Sequence, residues 1–275
     1  MKRDEFEAMG DRHKAFESLE TMRRLMPGLP VVVRLDGRAF HTFTRGLQRP
    51  YDARLSRSMI ETAKYLVEQT HADIGYTQSD EISLGFSFTD PCAEMPFKGR
   101  VQKICSLFAA MATARFNQLI VQEIPEKANK LPLFDAHVFQ YPTLGLATEC
   151  FVWREADATR NSLTMAAHAY YSQKELHKAG YAKKHEMLFA KGINWNDYPA
   201  FFKRGTYVRR ETIFKELTQQ ELARIPEGRR PTGPVMRSQV MELEMPPILE
   251  VANAAEVLFA RAEPLPYKQG PALQV

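Results

Sequence analysis

Cysteine is scarce: Cys92, Cys105 and Cys150 are the only three in a chain of 275 residues. So few, so far apart, make neither a disulfide framework nor a zinc-ligand spacing. A reducing, cytoplasmic setting is the simple expectation. Long apolar runs are also lacking. No stretch of about eighteen consecutive apolar residues occurs, so no membrane span is expected. The start, Met1-Lys2-Arg3-Asp4-Glu5-Phe6-Glu7, has no apolar core of the kind a signal peptide needs. The charge imbalance is small, +4 overall, and cannot by itself establish nucleic-acid binding. No internal repeat and no low-complexity segment is found.

What is present is enough apolar material for a sizeable core. The chain is 44% hydrophobic, which suits one large domain, or one domain with an appendage. Base is concentrated in the C-terminal half, at Lys183-Lys184, Lys203-Arg204, Arg209-Arg210 and Arg229-Arg230. Such clusters can neutralise phosphates. For any one pair, a solvated surface is the plainer reading.

Periodicity orders the chain. Phe6, Met9, His13, Phe16, Leu19 and Met22 recur at helical spacing within residues 1–26, and Pro27-Gly28 and Pro30 stop that helix. The β-branched run at 31–36 reads as a buried strand. Residues 52–71 follow as a helix with Leu55, Met59, Ala63, Leu66 and Val67 on one face. Strands near 73–78 and 82–88 form a hairpin ended by Asp90-Pro91. A helix over 98–120 carries Val101, Ile104, Phe108, Met111, Ala112 and Phe116, and a fourth strand spans 136–140. The order β-α-β-β-α-β is the split βαβ or ferredoxin-like arrangement, an α+β fold with an antiparallel sheet and helices on one face. It is also the palm of many template-directed polymerases and nucleotidyl cyclases. Beyond residue 150 the pattern turns helical, over 155–172 and 173–190 with a break at Gly180. A short strand is expected at 206–209, a loop at 225–235, a helix at 250–261 and a fraying Pro/Gly-rich end. The expected division is a palm-like core over 1–150, including the N-terminal helix, with a helical and irregular region over 151–275 packed on it.

Two of these strands bring carboxylates to a turn. The run Val31-Val32-Val33-Arg34-Leu35-Asp36-Gly37 ends on Asp36, and the hairpin Gln78-Ser79-Asp80-Glu81 presents two more. Strands ending on carboxylates suggest a shared divalent-cation site, since Mg²⁺ takes a few hard oxygen ligands and shares the rest with water and phosphates. Two such ions can clamp the attacking and leaving oxygens of phosphoryl transfer. On spacing alone a plain Asp-Gly turn and a polar hairpin tip explain the residues equally well. Arg34, two residues before Asp36 on the same strand face, either reaches the same site or simply pairs with a carboxylate.

The chain resembles the tRNA-His guanylyltransferase family, 3′–5′ polymerases that add nucleotides to the 5′ end of tRNA. The resemblance rests on ordered blocks spanning most of the sequence. These are Arg34-Leu35-Asp36-Gly37-Arg38-Ala39-Phe40-His41, Arg49-Pro50-Tyr51-Asp52, Tyr76-Thr77-Gln78-Ser79-Asp80-Glu81, Phe134-Asp135-Ala136-His137-Val138-Phe139-Gln140-Tyr141-Pro142, Trp153-Arg154-Glu155-Ala156-Asp157 and Phe202-Lys203-Arg204-Gly205-Thr206-Tyr207. It implies that Asp36 and Asp80 are catalytic. With the Gly37 carbonyl they would hold Mg²⁺, two ions being expected. Gly37, Arg38, Ala39, Phe40, His41 and Ser79 are then expected to bind nucleotide, through backbone N–H groups and the His41 donor. Glu81 is expected to point away from Asp80 as an acidic neighbour. Arg49 falls where the family carries a nucleotide-contacting lysine; its planar fork is not equivalent to an ammonium. Asn161, Lys203, Arg204, Arg209 and Arg210 are expected RNA contacts.

A second departure concerns specificity. Eukaryotic members carry His-Ile-Asn-Asn where this chain has Thr159-Arg160-Asn161-Ser162. Only Asn161 keeps the pattern, which resembles the bacterial, archaeal and phage like-protein branch of template-dependent 5′-end repair enzymes. The resemblance implies tRNA, ATP and GTP as partners, and a homo-oligomer, a tetramer built as a dimer of dimers. Two other readings stand beside it. A palm-fold nucleotidyl or diguanylate cyclase would share the carboxylates, but its Gly-Gly-Asp-Glu/Phe-like hairpin is not the one seen here. A non-catalytic RNA-binding module would show stacking aromatics on its central strands, and the 31–36 strand has none.

Overall fold

The computed structural model describes residues 3–88 and 93–267. The hairpin stop expected at Asp90-Pro91, Cys92 and the end of the tail lie outside these residues. In chain order the elements are α1 (Arg3–Thr21), β1 (Val31–Gly37), α2 (Phe40–Phe43), α3 (Ala53–Thr70), β2 (Ile74–Gln78), β3 (Glu81–Phe86), α4 (Val101–Glu123), β4 (Phe134–Gln140) and α5 (Leu144–His168). They continue with α6 (Tyr181–Ala190), α7 (Ala200–Arg204), β5 (Thr206–Lys215), α8 (Gln219–Ala223), β6 (Val235–Leu243) and α9 (Ala254–Ala260). The sheet order is β4-β1-β3-β2-β5-β6, antiparallel throughout. The first four strands form the ferredoxin-like palm that the element order predicts.

Alternation along the strands separates two faces. Val31, Val33 and Leu35 of β1 and Ile82, Leu84 and Phe86 of β3 face α3 and α4, whose Met59, Ala63, Leu66, Val67, Ile104, Phe108, Ala112 and Phe116 complete one core. Asp52 caps α3, its carboxylate accepting the Arg54 N–H at 3.0 Å. By length and composition α4 could cross a membrane; here its stripe from Ile104 to Ile120 packs into this core. Gly75 of β2 meets the same face. A Cβ there would lie 2.7 Å from Val67 and 2.9 Å from Val208, so only glycine lets β2 approach.

The C-terminal additions cover part of the opposite face. Val32, Ile74, Tyr76 and Tyr207 form a second core there with Ala147 and Phe151 of α5 and Val257, Leu258 and Phe259 of α9. Coverage on both sides explains why residues 31–33 form an unbroken β-branched run rather than an alternating one.

Several boundaries differ from expectation. α5 starts at Leu144, not 155, because the Thr143 hydroxyl caps it by accepting the Leu146 N–H at 3.2 Å. The second predicted helix is confined to Tyr181–Ala190. The short strand at 206 runs on to Lys215 and pairs with β6 over nine rungs, from Tyr207↔Leu243 to Lys215↔Val235. α1 forms as expected but buries no residue, and Phe6, Phe16 and Leu19 stay 59–72% exposed.

Arg209 corrects one expectation outright. It is 1% exposed, and its guanidinium is engaged within the chain, donating to Glu211, to the Val257 and Ala262 carbonyls at 3.3 and 2.7 Å, and to Glu263 at 2.9 Å. Buried and fully used, it is withdrawn from any phosphate and instead ties α9 and the segment after it to β5. Arg209→Ala is therefore expected to cost about 1.5–3 kcal/mol, the loss of charge-assisted hydrogen bonds. Urea unfolding should show this loss, while the salt dependence of RNA binding stays unchanged.

Candidate active site

β1 ends at a tight turn held from both sides. The Gly37 N–H donates to the Asp80 carbonyl at 3.0 Å and the Arg38 N–H to the Leu133 carbonyl at 2.8 Å. A Cβ on Gly37 would fall 2.4 Å from the Phe40 ring, so the turn tolerates only glycine there. Ala39 takes the left-handed conformation, φ 56°, and α2 follows. Phe40 anchors the turn, with ring centroids 5.2 Å from Phe43, 5.5 Å from Phe116 and 5.2 Å from Phe134. Its ring belongs to the core, which leaves only its main chain for the expected nucleotide contact. Arg38, Ala39 and His41 stay exposed.

Asp36 and Asp80 come together at this turn. Burial pushes the Asp80 carboxyl above its ordinary range, the Ser79 hydroxyl bonded to it pulls it down, the Asp36 charge raises it again, and nearby His41 eases it. Asp36 is exposed. Among the described residues no group of three or more His, Cys, Asp or Glu side chains clusters as a metal cage. Two carboxylates at the end of a strand nevertheless fit Mg²⁺, which is held by one or two carboxylates plus water and substrate phosphates. A cation bound there would offset the Asp36 charge that bears on Asp80.

Glu81 shares a sheet rung with Asp36, as does Asp135 on the other side. It does not point into solvent as a free ligand. The Arg154 guanidinium of α5 donates to it at 2.7 Å, both side chains being about nine-tenths buried, and Arg34 lies 3.9 Å away. Burial raises the Glu81 carboxyl and the Arg154 charge lowers it, with burial prevailing. Arg34 thus makes the plain ion pair weighed for it. Arg154 also reaches Asp157 at 3.3 Å, and Asp157 in turn accepts from the exposed Asn161 amide at 3.2 Å. Arg154 and Asp157 were present in the Trp-Arg-Glu-Ala-Asp block, but no local pattern marks them as partners of the hairpin.

The remaining expected residues lie elsewhere. Arg49 is exposed on the loop before α3. Lys203 donates to the Asn196 carbonyl at 2.5 Å and lies over the Trp195 ring, while Arg204 donates to the Met245 carbonyl at 3.0 Å. Arg210 sits on β5, three strands from β1, donating to Ser238 and the Glu68 carbonyl at 3.3 Å. The carboxylates are not in the cavity of about 690 Å³ between α7 and β6, which Phe201, Arg204 and Glu244 line.

A palm sheet, paired carboxylates at the end of its first strand and an anchored glycine turn define a palm-type nucleotidyltransferase. Comparison with known proteins makes the class particular. The family model for tRNA(His) guanylyltransferase matches residues 10–142. The tRNA(His) guanylyltransferase of Schizosaccharomyces pombe is 31% identical over 224 residues, covering 76% of this chain and 84% of that protein. That of Saccharomyces cerevisiae is 30% identical over 210 residues, covering 70% and 87%. Among solved structures, a bacterial tRNA(His) guanylyltransferase-like protein in complex with ATP superposes with a TM-score of 0.73 at 32% identity, covering 90% of this chain and 96% of that one. The chain belongs to the tRNA(His) guanylyltransferase family and is a nucleotidyltransferase. The cyclase and the non-catalytic module are thereby set aside.

The Glu81–Arg154 pair gives a stability test. Removing one partner of a buried pair leaves the other charge uncompensated, at a cost of about 3–5 kcal/mol. Arg154→Met should lose about that much in chemical denaturation, and adding Glu81→Gln should recover a large part of it. A double-variant loss equal to the sum of the two single-variant losses would mean the pair is not energetically coupled.

Proposed function

We propose that this enzyme activates a tRNA 5′ end with ATP or GTP and then extends it in the 3′–5′ direction, as template-directed addition or 5′-end repair. The observation that carries the reading is the meeting of Asp36 and Asp80 at the glycine turn on the open end of a palm sheet. In the first step an oxygen of the 5′-monophosphate attacks the α-phosphorus of the activating nucleotide, and pyrophosphate leaves. In the second, the 3′-hydroxyl of an incoming nucleotide attacks the activated 5′ phosphorus, and the nucleoside monophosphate leaves. A base opposite in the RNA selects the incoming nucleotide.

Asp36, Asp80 and the Gly37 carbonyl would hold Mg²⁺, in two ions on the family pattern. When bound, the metal supplies charge neutralisation at the reacting phosphates. Gly37 keeps the backbone open for a triphosphate. Arg38, Ala39, the Phe40 main chain, His41 and Ser79 would orient it, with Arg49 as a further nucleotide contact. Glu81, already held by Arg154 and Arg34, shapes the rung rather than coordinating. Asn161, Lys203, Arg204 and Arg210 remain candidate RNA contacts. The reading includes a cytoplasmic homo-tetramer, for which the exposed apolar row of α1 offers surface.

Asp36→Ala and Asp80→Ala should each abolish activation and addition. Metal stabilisation worth several kcal/mol corresponds to about a thousandfold loss of turnover. The melting temperature should hold or rise, because each change relieves repulsion between the two aspartates. Near-wild-type turnover in Mg²⁺ would misplace the site. His41→Ala should raise KM for the nucleotide about tenfold, one charge-assisted hydrogen bond, and leave tRNA affinity alone in filter binding. A matched loss of RNA affinity with unchanged nucleotide dependence would count against this assignment.

A further inference from the structure

On the carboxylate face of the sheet, α5 and α9 cover the strands around Val32, Ile74 and Gly85. The edge strand β4 carries a different set of side chains on that same face. Asp135 stands opposite Asp36, His137 opposite Arg34 and Phe139 opposite Val32. Asp135 and His137 are 60% and 58% exposed, and their side chains lie 3.4 Å apart. Phe139 is half-buried yet belongs to none of the hydrophobic cores, unlike its neighbours Ala136 and Val138, which pack into the α3–α4 core. Its ring lies nearly parallel to that of His137, at 17° and 6.4 Å between centroids. The Arg34 guanidinium sits over it, 5.5 Å from its centroid.

We propose that His137 and Phe139, with the Arg34 guanidinium on Phe139, form a stacking platform for an unpaired base of the RNA substrate beside the carboxylate site. This rests on the reading of the protein as an RNA 5′-end nucleotidyltransferase. Stacking aromatics on the open face of a four-stranded ferredoxin-like sheet are how such sheets hold single-stranded RNA. Here they stand on the edge strand, because α5 and α9 close the ground over the central ones. Parallel aromatic faces and an arginine plane accept any base, which suits an enzyme whose base choice comes from pairing. Position also argues for RNA rather than the incoming nucleotide. The glycine turn lies beyond the end of β1, whereas the platform runs back along β4 from the Asp36 rung. His137 is two residues from that rung, about 7 Å at strand spacing. That is about two stacked nucleotides from the reacting end.

The test uses the full chain and a tRNA acceptor stem lacking its first 5′ nucleotide, with 2-aminopurine at the unpaired position opposite the gap. Binding to the wild type should quench the fluorophore; a probe at a paired position should respond little. Phe139→Leu keeps apolar bulk but removes the ring. It should abolish most of the quenching and raise KM for the RNA about tenfold, with KM for ATP unchanged. Phe139→Tyr should restore both, and His137→Ala should show a smaller loss in the same direction. If Phe139→Leu melts early, Phe139→Tyr and His137→Ala, folded by the same assay, carry the test. Unchanged quenching and RNA KM in Phe139→Leu and in His137→Ala would overturn the platform. So would a rise in KM for ATP alone, which would give the ring to the nucleotide. Wild-type addition without quenching overturns the platform and leaves the proposed function standing. Quenching without addition does the reverse.

Discussion

One rung of the sheet sets the terms for everything around it. Asp36 faces Glu81 on β3 and Asp135 on β4, three carboxylates side by side. Like charges directly opposite one another destabilise a sheet, so this rung survives only if some of the charge is answered. Arg154 answers Glu81 at 2.7 Å from the covering helix, and Arg34 stands 3.9 Å away on its own strand. Asp135 turns to solvent and to His137. Asp36, exposed, is left beside Asp80 with no arginine across from it. The arrangement leaves the negative charge of Asp36 and Asp80 concentrated at the end of β1, where the proposed function places a cation and a triphosphate.

The turn that follows is built with the same economy. Phe40 fills the space in which a Gly37 side chain would sit, so the core itself holds the backbone in place. The aromatic in this motif thus supports the site from beneath. Arg38 and His41, its neighbours, stay at the surface. α5 serves two purposes. Phe151 buries the sheet near Val32, and Arg154, less than one helical turn later, reaches the hairpin carboxylate.

Much of this was legible in the sequence. The β-branched run, the apolar stripes of α3 and α4 and the Ser-Asp-Glu hairpin have the right period and strong punctuation, and each formed within a few residues of its expected bounds. β6 was not legible, because only Val240 in Val235–Leu243 is buried and a strand with one lightly covered face leaves little alternation. The early start of α5 rested on one capping threonine. Arg209 and Arg210 read alike as a basic pair, yet alternation turned Arg209 under α9 and left Arg210 at the surface.

Element order, and the placing of the candidate ligands Asp36, Gly37 and Asp80 at strand ends, could be read from local pattern alone. Hydrophobic period and turn residues act over a few positions, so they can be read locally. Which charges are free and which are spent is settled by packing across the sheet. Glu81 is paired with an arginine 73 residues away; Arg209 pairs with Glu211 on its own strand and also with Glu263, 54 residues away, while donating to carbonyls 48 and 53 residues away. Such pairings depend on how α5 and α9 lie across the sheet, and that is set by the packing of a whole face rather than by any one segment.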